Sequence, residues 1–163
     1  MDLLPCVLTT GVGATLFVDG WALVRERAFA VRRPDWALVG RWIAHMRRGR
    51  LVHASIAAAP AVRGERAIGW IAHYLIGIAF AALLVAIAGA QWCRGPTLAP
   101  ALLVGIGTVL APFLLMQPGM GAGLAARRTP RPWVARMHSL ATHAMFGVGL
   151  YIAGAASAAL SAP

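Results

Sequence analysis

The sequence predicts an all-α integral membrane four-helix bundle with an interfacial amphipathic helix in its first cytoplasmic loop. Three observations carry this prediction. The chain is 60% hydrophobic and only 12% charged, with a mean hydropathy of +0.71. That is too little charge to clothe a water-soluble core of this size. Four apolar runs reach the ~20 residues that a helix needs to cross a hydrocarbon core about 30 Å thick. Arginine is confined almost wholly to two of the connections between them.

The runs are 3–24, 68–90, 98–117 and 133–160, the last expected to lose a few residues at each end. With the cytoplasmic loop 25–67 they make one membrane domain over 1–163. None alternates apolar and polar residues at a period of two, which argues against a membrane barrel. The first run lacks a basic leader, Asp2 being its only early charge, and lacks a small-x-small cleavage site. It reads as an uncleaved helix rather than a secretory signal. Of the 15 arginines, ten lie between Arg25 and Arg66 and four between Arg127 and Arg136. Arg94 alone falls in the second connection. Basic residues mark the cytoplasmic side, so both termini face out.

The formal charge of +10 does not argue for nucleic acid, because no zinc-finger spacing or RNA-binding aromatic motif accompanies it. Basic loops orient helices and attract anionic lipid headgroups, at about 1 kcal/mol per residue near the surface. The lipid bilayer is therefore the partner expected first.

Loop 25–67 is too long for a simple connection. From Asp35 to Arg48 it reads as a helix, with Asp35 as N-cap and Trp36, Val39, Ile43 and Met46 at helical spacing. Arg41, His45 and Arg48 fall on another face, which fits a helix lying in the membrane interface. Gly49 is its expected stop. The small apolar segment 55–60 is expected to tuck against the bundle or lie on its surface.

Three of the four runs carry one ionisable residue each: Asp19, His73 and His143. Such residues inside a bilayer are costly and point to a functional site. Each stands in a row of small or polar residues four apart. The rows are Gly11, Thr15, Asp19; Gly69, His73, Gly77, Ala81; and Ser139, His143, Gly147, Tyr151. Small residues let helices approach closely, so the three side chains are expected to point inward together. Asp19 lies six residues before Arg25, and the histidines each lie seven after an arginine. At about 1.5 Å per residue all three sit roughly 9–10 Å from the cytoplasmic surface.

Gln117, Thr15 and His138 are secondary members. His138 precedes His143 by five residues, which turns it about 140° away. Two imidazoles and a carboxylate suit a transition metal, so His73, His143 and Asp19 are the metal candidates. Two histidines suit axial haem ligation, and the same trio suits proton relay. A buried Asp–His hydrogen bond that only fixes helix register is the plainer alternative. The cofactor stays unassigned.

No catalytic residue is singled out: there is no HExxH, and the GxG pairs at Gly11 and Gly147 lie inside apolar spans as packing glycines. Pro112 is expected to kink the third span. Cys6 and Cys93 both fall on the external side, where a disulfide is chemically allowed, and form the candidate bridge.

Five segments are characteristic: GVGATLFVD from Gly11 to Asp19, LVGRW from Leu38, RGERAIGW from Arg63, AHY from Ala72 and APFLLMQPGMG from Ala111. Together they resemble an uncharacterised family of small bacterial inner-membrane proteins, a domain of unknown function. The resemblance implies a four-helix protein of the bacterial inner (cytoplasmic) membrane and supplies no activity. The leading reading is binding or movement of a small ligand, ion or proton at the Asp/His site. Few spans make a homo-oligomer or a partner membrane protein the expected context. An accessory subunit docking through the arginine-rich loop is the alternative, and a haem- or metal-binding oxidoreductase stands third. Enzyme activity is not the expectation.

Overall fold

The computed structural model describes residues 3–161, so Asp2 lies outside the described residues. Among these the chain is all-helical, with no strand. Helix α1, Leu3–Phe29, runs past the predicted end at 24 because no breaker intervenes before Pro34. Ala30 then takes a left-handed conformation (φ 53°), and the Val31 N–H returns to the Arg25 carbonyl at 3.3 Å. That bond satisfies one of the carbonyls left open in the last turns of the helix.

Helix α2, Trp36–Met46, starts where predicted. The Asp35 carboxylate accepts from the Ala37 N–H at 3.0 Å, the expected cap. Its last turn loosens over 47–49 and stops at Gly49, whose φ of 73° suits a residue without a Cβ. Helix α3 is Glu65–Ala88. The third span, Leu98–Met120, is not one uniform helix. It opens as α4, Leu98–Gly107, and ends as α5, Gln117–Met120, with Pro112–Met116 between them in π-helical geometry. Pro112 has no N–H to give the preceding turn, and the helix absorbs this by widening until Gln117 N–H reaches Pro112 O. The expected kink is thus a local change of helix type. Helix α6, Pro132–Leu160, keeps the full predicted length rather than losing its ends. Proline at its first position supplies a helical φ without wasting a donor.

Four helices, α1, α3, the third span and α6, are long and apolar enough to cross a membrane. The chain divides into two compact units, and α3 and α6 contribute residues to both. The first unit takes α1, α3 from Tyr74, α4 through Thr108, and α6 from Leu140. Its core is Cys6, Ala14, Val18, Ala81, Leu84, Val85, Trp92, Cys93, Ala101, Val104, Phe146 and Leu150. The helices close on glycine. A Cβ on Gly105 of α4 would collide with the backbone of Gly147 on α6, and one on Gly77 would strike the Thr15 hydroxyl. The predicted small-residue rows are therefore contact faces. The Cys6 and Cys93 sulfurs are joined in this unit, with Cα atoms 6.1 Å apart.

The second unit takes 34–73 and 109–139. Here α2 crosses the start of α3 at backbone contact: a Cβ on Gly40 would overlap the Glu65 carbonyl, and one on Gly69 the Trp36 carbonyl. On the arginine face of α2, Arg41 is turned into protein while Arg48 is exposed. Arg41 Nη2 and Nε donate to the two Glu65 oxygens at 2.7 and 2.8 Å, and Nη1 donates to the Ala59 carbonyl at 3.1 Å. Segment 55–60, expected either to tuck against the bundle or to lie on its surface, forms a turn over Ile56–Ala58 in which Ile56 is buried while Ser55, Ala57, Ala58 and Pro60 are exposed.

Candidate intramembrane polar site

Each of the three predicted residues has a partner that the sequence reading did not name. Asp19, half-buried on α1, accepts from the Tyr74 hydroxyl of α3 at 3.1 Å. Tyr74 follows His73 directly, and a tyrosine in an apolar run was the signal available to find it.

His143 of α6 meets Thr108, which is 5% exposed, at 2.9 Å between Nδ1 and Oγ1. The geometry assigns the proton. Thr108 has one hydroxyl hydrogen, and it goes to the Gly105 carbonyl at 2.6 Å. Nδ1 of His143 must then be the donor, which leaves the lone pair on Nε2. One residue earlier, Thr142 accepts from Arg25 Nη1 at 2.8 Å. Arg25 therefore reaches α6 from the same helix that carries Asp19. Both contacts lie within the first unit.

His73 belongs to the second unit. Its ring stacks on Trp36, with centroids 3.8 Å apart and planes 23° apart, and it meets Trp70 edge-on at 5.8 Å. The aromatic face of the loop helix is therefore spent on a histidine rather than on lipid alone.

Among the described residues no group of three or more His, Cys, Asp or Glu side chains is arranged to hold a metal ion. Asp19 and His143 belong to the first unit and His73 to the second.

The secondary residues separate clearly. Thr15 is 1% exposed and donates to the Gly11 carbonyl at 2.8 Å, so it serves helix packing. Gln117 Nε2 contacts Ser139 Oγ at 3.4 Å, while its Oε1 is buried without a protein partner. His138 is exposed.

Outside the apolar runs, the fork between Arg41 and Glu65 sets the charges. Glu65 precedes the run that begins at Ile68, and its carboxyl is held down to about 2. The hydrogen bonds from Arg41 are the main cause, followed by the Val62 N–H at 2.8 Å. The same bond raises the Arg41 guanidinium above its ordinary value. Sequence spacing did not pair these two.

No curated protein and no solved structure matches the chain. A family described as a protein of unknown function (DUF2938) matches residues 8–157. Nearly the whole chain is covered, including Asp19, His73 and His143 and all but the outer ends of the first and last spans. The chain belongs to the DUF2938 family of proteins of unknown function.

Proposed function

We propose that this protein binds or moves a small ion across or within the membrane, with the proton as the simplest cargo and Asp19 as the central group. The reading rests on the hydrogen bond from Tyr74 to Asp19 between two apolar helices. A carboxylate kept in a span is costly, and a phenol beside it gives the group a partner able to give or take a proton. Arg25, Thr142, His143 and Thr108 extend the polar set within the same unit. On this reading the membrane is the bacterial inner membrane, with both termini outside and the arginine-rich loops inside. One membrane domain then spans the chain, and copies associate to complete a path.

In proteoliposomes loaded with a pH-sensitive dye, the wild-type chain should dissipate an imposed pH gradient. Asp19→Asn should abolish this while keeping its unfolding midpoint. Equal rates in the two would remove Asp19 from the function; a variant that only unfolds would assign it to helix register.

A second reading, an accessory subunit, is favoured by one observation: Arg47, Arg48 and Arg50 form an exposed basic run after α2. Neutralising all three should then release a co-purifying partner.

A further inference from the structure

Trp21 and Arg25 stand four residues apart on α1, about 40° apart around its axis, where the apolar run 3–24 ends. Both carry donors in search of an acceptor. The Trp21 Nε1–H is buried, and among the described residues no acceptor meets it. Buried donors are normally paired, so one left over calls for an explanation. Arg25 uses one of its five N–H groups on Thr142 of α6, Nη1 to Oγ1 at 2.8 Å. That hydroxyl answers the hydrogen bond and leaves the charge uncompensated. The carboxylates are engaged elsewhere. The chain has five acidic residues, and Asp2 lies outside the described ones. Glu26 pairs with Arg33 and Glu65 with Arg41, each at 2.7 Å. Asp35 caps α2, and Asp19 accepts from Tyr74. Asp19 precedes Arg25 by six residues, which turns it about 120° away around the helix.

We propose that Arg25 and Trp21 bind a phosphate group at this end of the first span, beside Thr142. The planar guanidinium fork matches two phosphate oxygens, and the indole N–H supplies a further donor on the same side of the helix. With a formal charge of +10, the chain has basic groups in excess and takes its balancing anions from outside. The same row continues to Phe29, four residues beyond Arg25, and both Phe29 and Val24 are exposed. A cationic fork flanked by exposed apolar side chains suits a headgroup phosphate with its acyl chains alongside. Basic sites between spanning helices near the membrane surface hold anionic headgroups in this way. A free phosphate ion would meet the same donors without using the apolar flank. Trp21, Arg25 and Thr142 all belong to the first unit. The site goes beyond proton movement at Asp19 and does not depend on it.

The test follows the indole N–H directly. The full chain, labelled with nitrogen-15 at its six tryptophans, is held in non-ionic micelles without phosphate buffer. It is titrated with dihexanoyl phosphatidylglycerol, with inorganic phosphate, or with dihexanoylglycerol, which lacks the phosphate. The Trp21 signal is the one lost in Trp21→Phe. It should move with a phosphate-bearing probe and stay still with dihexanoylglycerol. Saturation at lower concentrations of the lipid would identify a headgroup as the source; saturation at lower concentrations of inorganic phosphate would identify the free ion. Both results support the site. Arg25→Gln should weaken binding about 10–100-fold, the loss expected for a hydrogen bond to a charged group. Arg25→Lys keeps the charge without the fork and should fall between. Where Arg25→Gln folds poorly, the wild-type titration and Arg25→Lys carry the test. A Trp21 signal indifferent to both phosphate probes, or equal affinity in wild type and Arg25→Gln, would overturn the proposal. So would an equal response to dihexanoylglycerol, which would reduce the contact to apolar packing.

Discussion

The Tyr74 hydroxyl donates to the Asp19 carboxylate at 3.1 Å, tying α3 to α1 through two polar groups within their apolar runs. Tyr74→Phe keeps the ring and deletes the donor. The expected loss is about 1–3 kcal/mol, the cost of leaving a buried polar partner unsatisfied. In a double-mutant cycle with Asp19→Asn, unfolding in micelles should give a coupling well above zero. Strict additivity would show that the contact is energetically idle.

The Thr108 hydroxyl serves two partners at once, donating to Gly105 and accepting from His143. Thr108→Val preserves shape and removes the hydroxyl that His143 Nδ1 meets in a buried site. A cost of about 1–3 kcal/mol is expected. Thr108→Ser, which retains the hydroxyl, should recover most of it. If valine and serine behave alike, packing rather than the hydrogen bond matters at this position.

Close approach of α2 and α3 rests on Gly40, where a Cβ would overlap the Glu65 carbonyl. Gly40→Ala should destabilise by about 1–3 kcal/mol through forced backbone separation. Gly20 in α1 has nothing within 4 Å of the added atom. There Gly20→Ala should be neutral or stabilise by up to about 1 kcal/mol from helix propensity. Unfolding midpoints of the two variants should therefore move in different directions.

Glu65 gives the fold an acid-side pH signature. Its folded value of about 2 lies below the ordinary 4.5. Stability from its bond to Arg41 is thus fully present above about 4.5 and disappears as pH falls through about 2. Glu65→Gln should flatten the acid limb of the stability profile below pH 5. Arg41→Lys should weaken the fold at neutral pH, since an ammonium lacks the fork that holds both carboxylate oxygens and the loop carbonyls. Retention of the acid limb in Glu65→Gln would place its origin elsewhere.

Much of the architecture was legible in residue order. Span lengths, the Asp35 cap, the stop at Gly49 and the small-residue contact rows follow from local chemistry, and each has its counterpart in the fold. The face of α2 was less legible. Arg41 and His45 share a helical face, a pattern suited to headgroups, yet Arg41 forks to Glu65 and His45 is almost fully covered. Periodicity says which residues lie together on a helix. It does not say whether lipid, water or a carboxylate 24 residues away lies opposite.

The sequence by itself determined an all-helical chain with four candidate membrane spans, because apolar length and helix signals act within a few turns of chain. Only the tertiary structure decided the partners: Tyr74 for Asp19, Thr108 for His143, Trp36 for His73, and His53 for His45. Most of these contacts join residues far apart in the chain, and their geometry depends on helix rotation and crossing. Those are set by where glycines let backbones touch, a property of two helices together that neither helix carries alone.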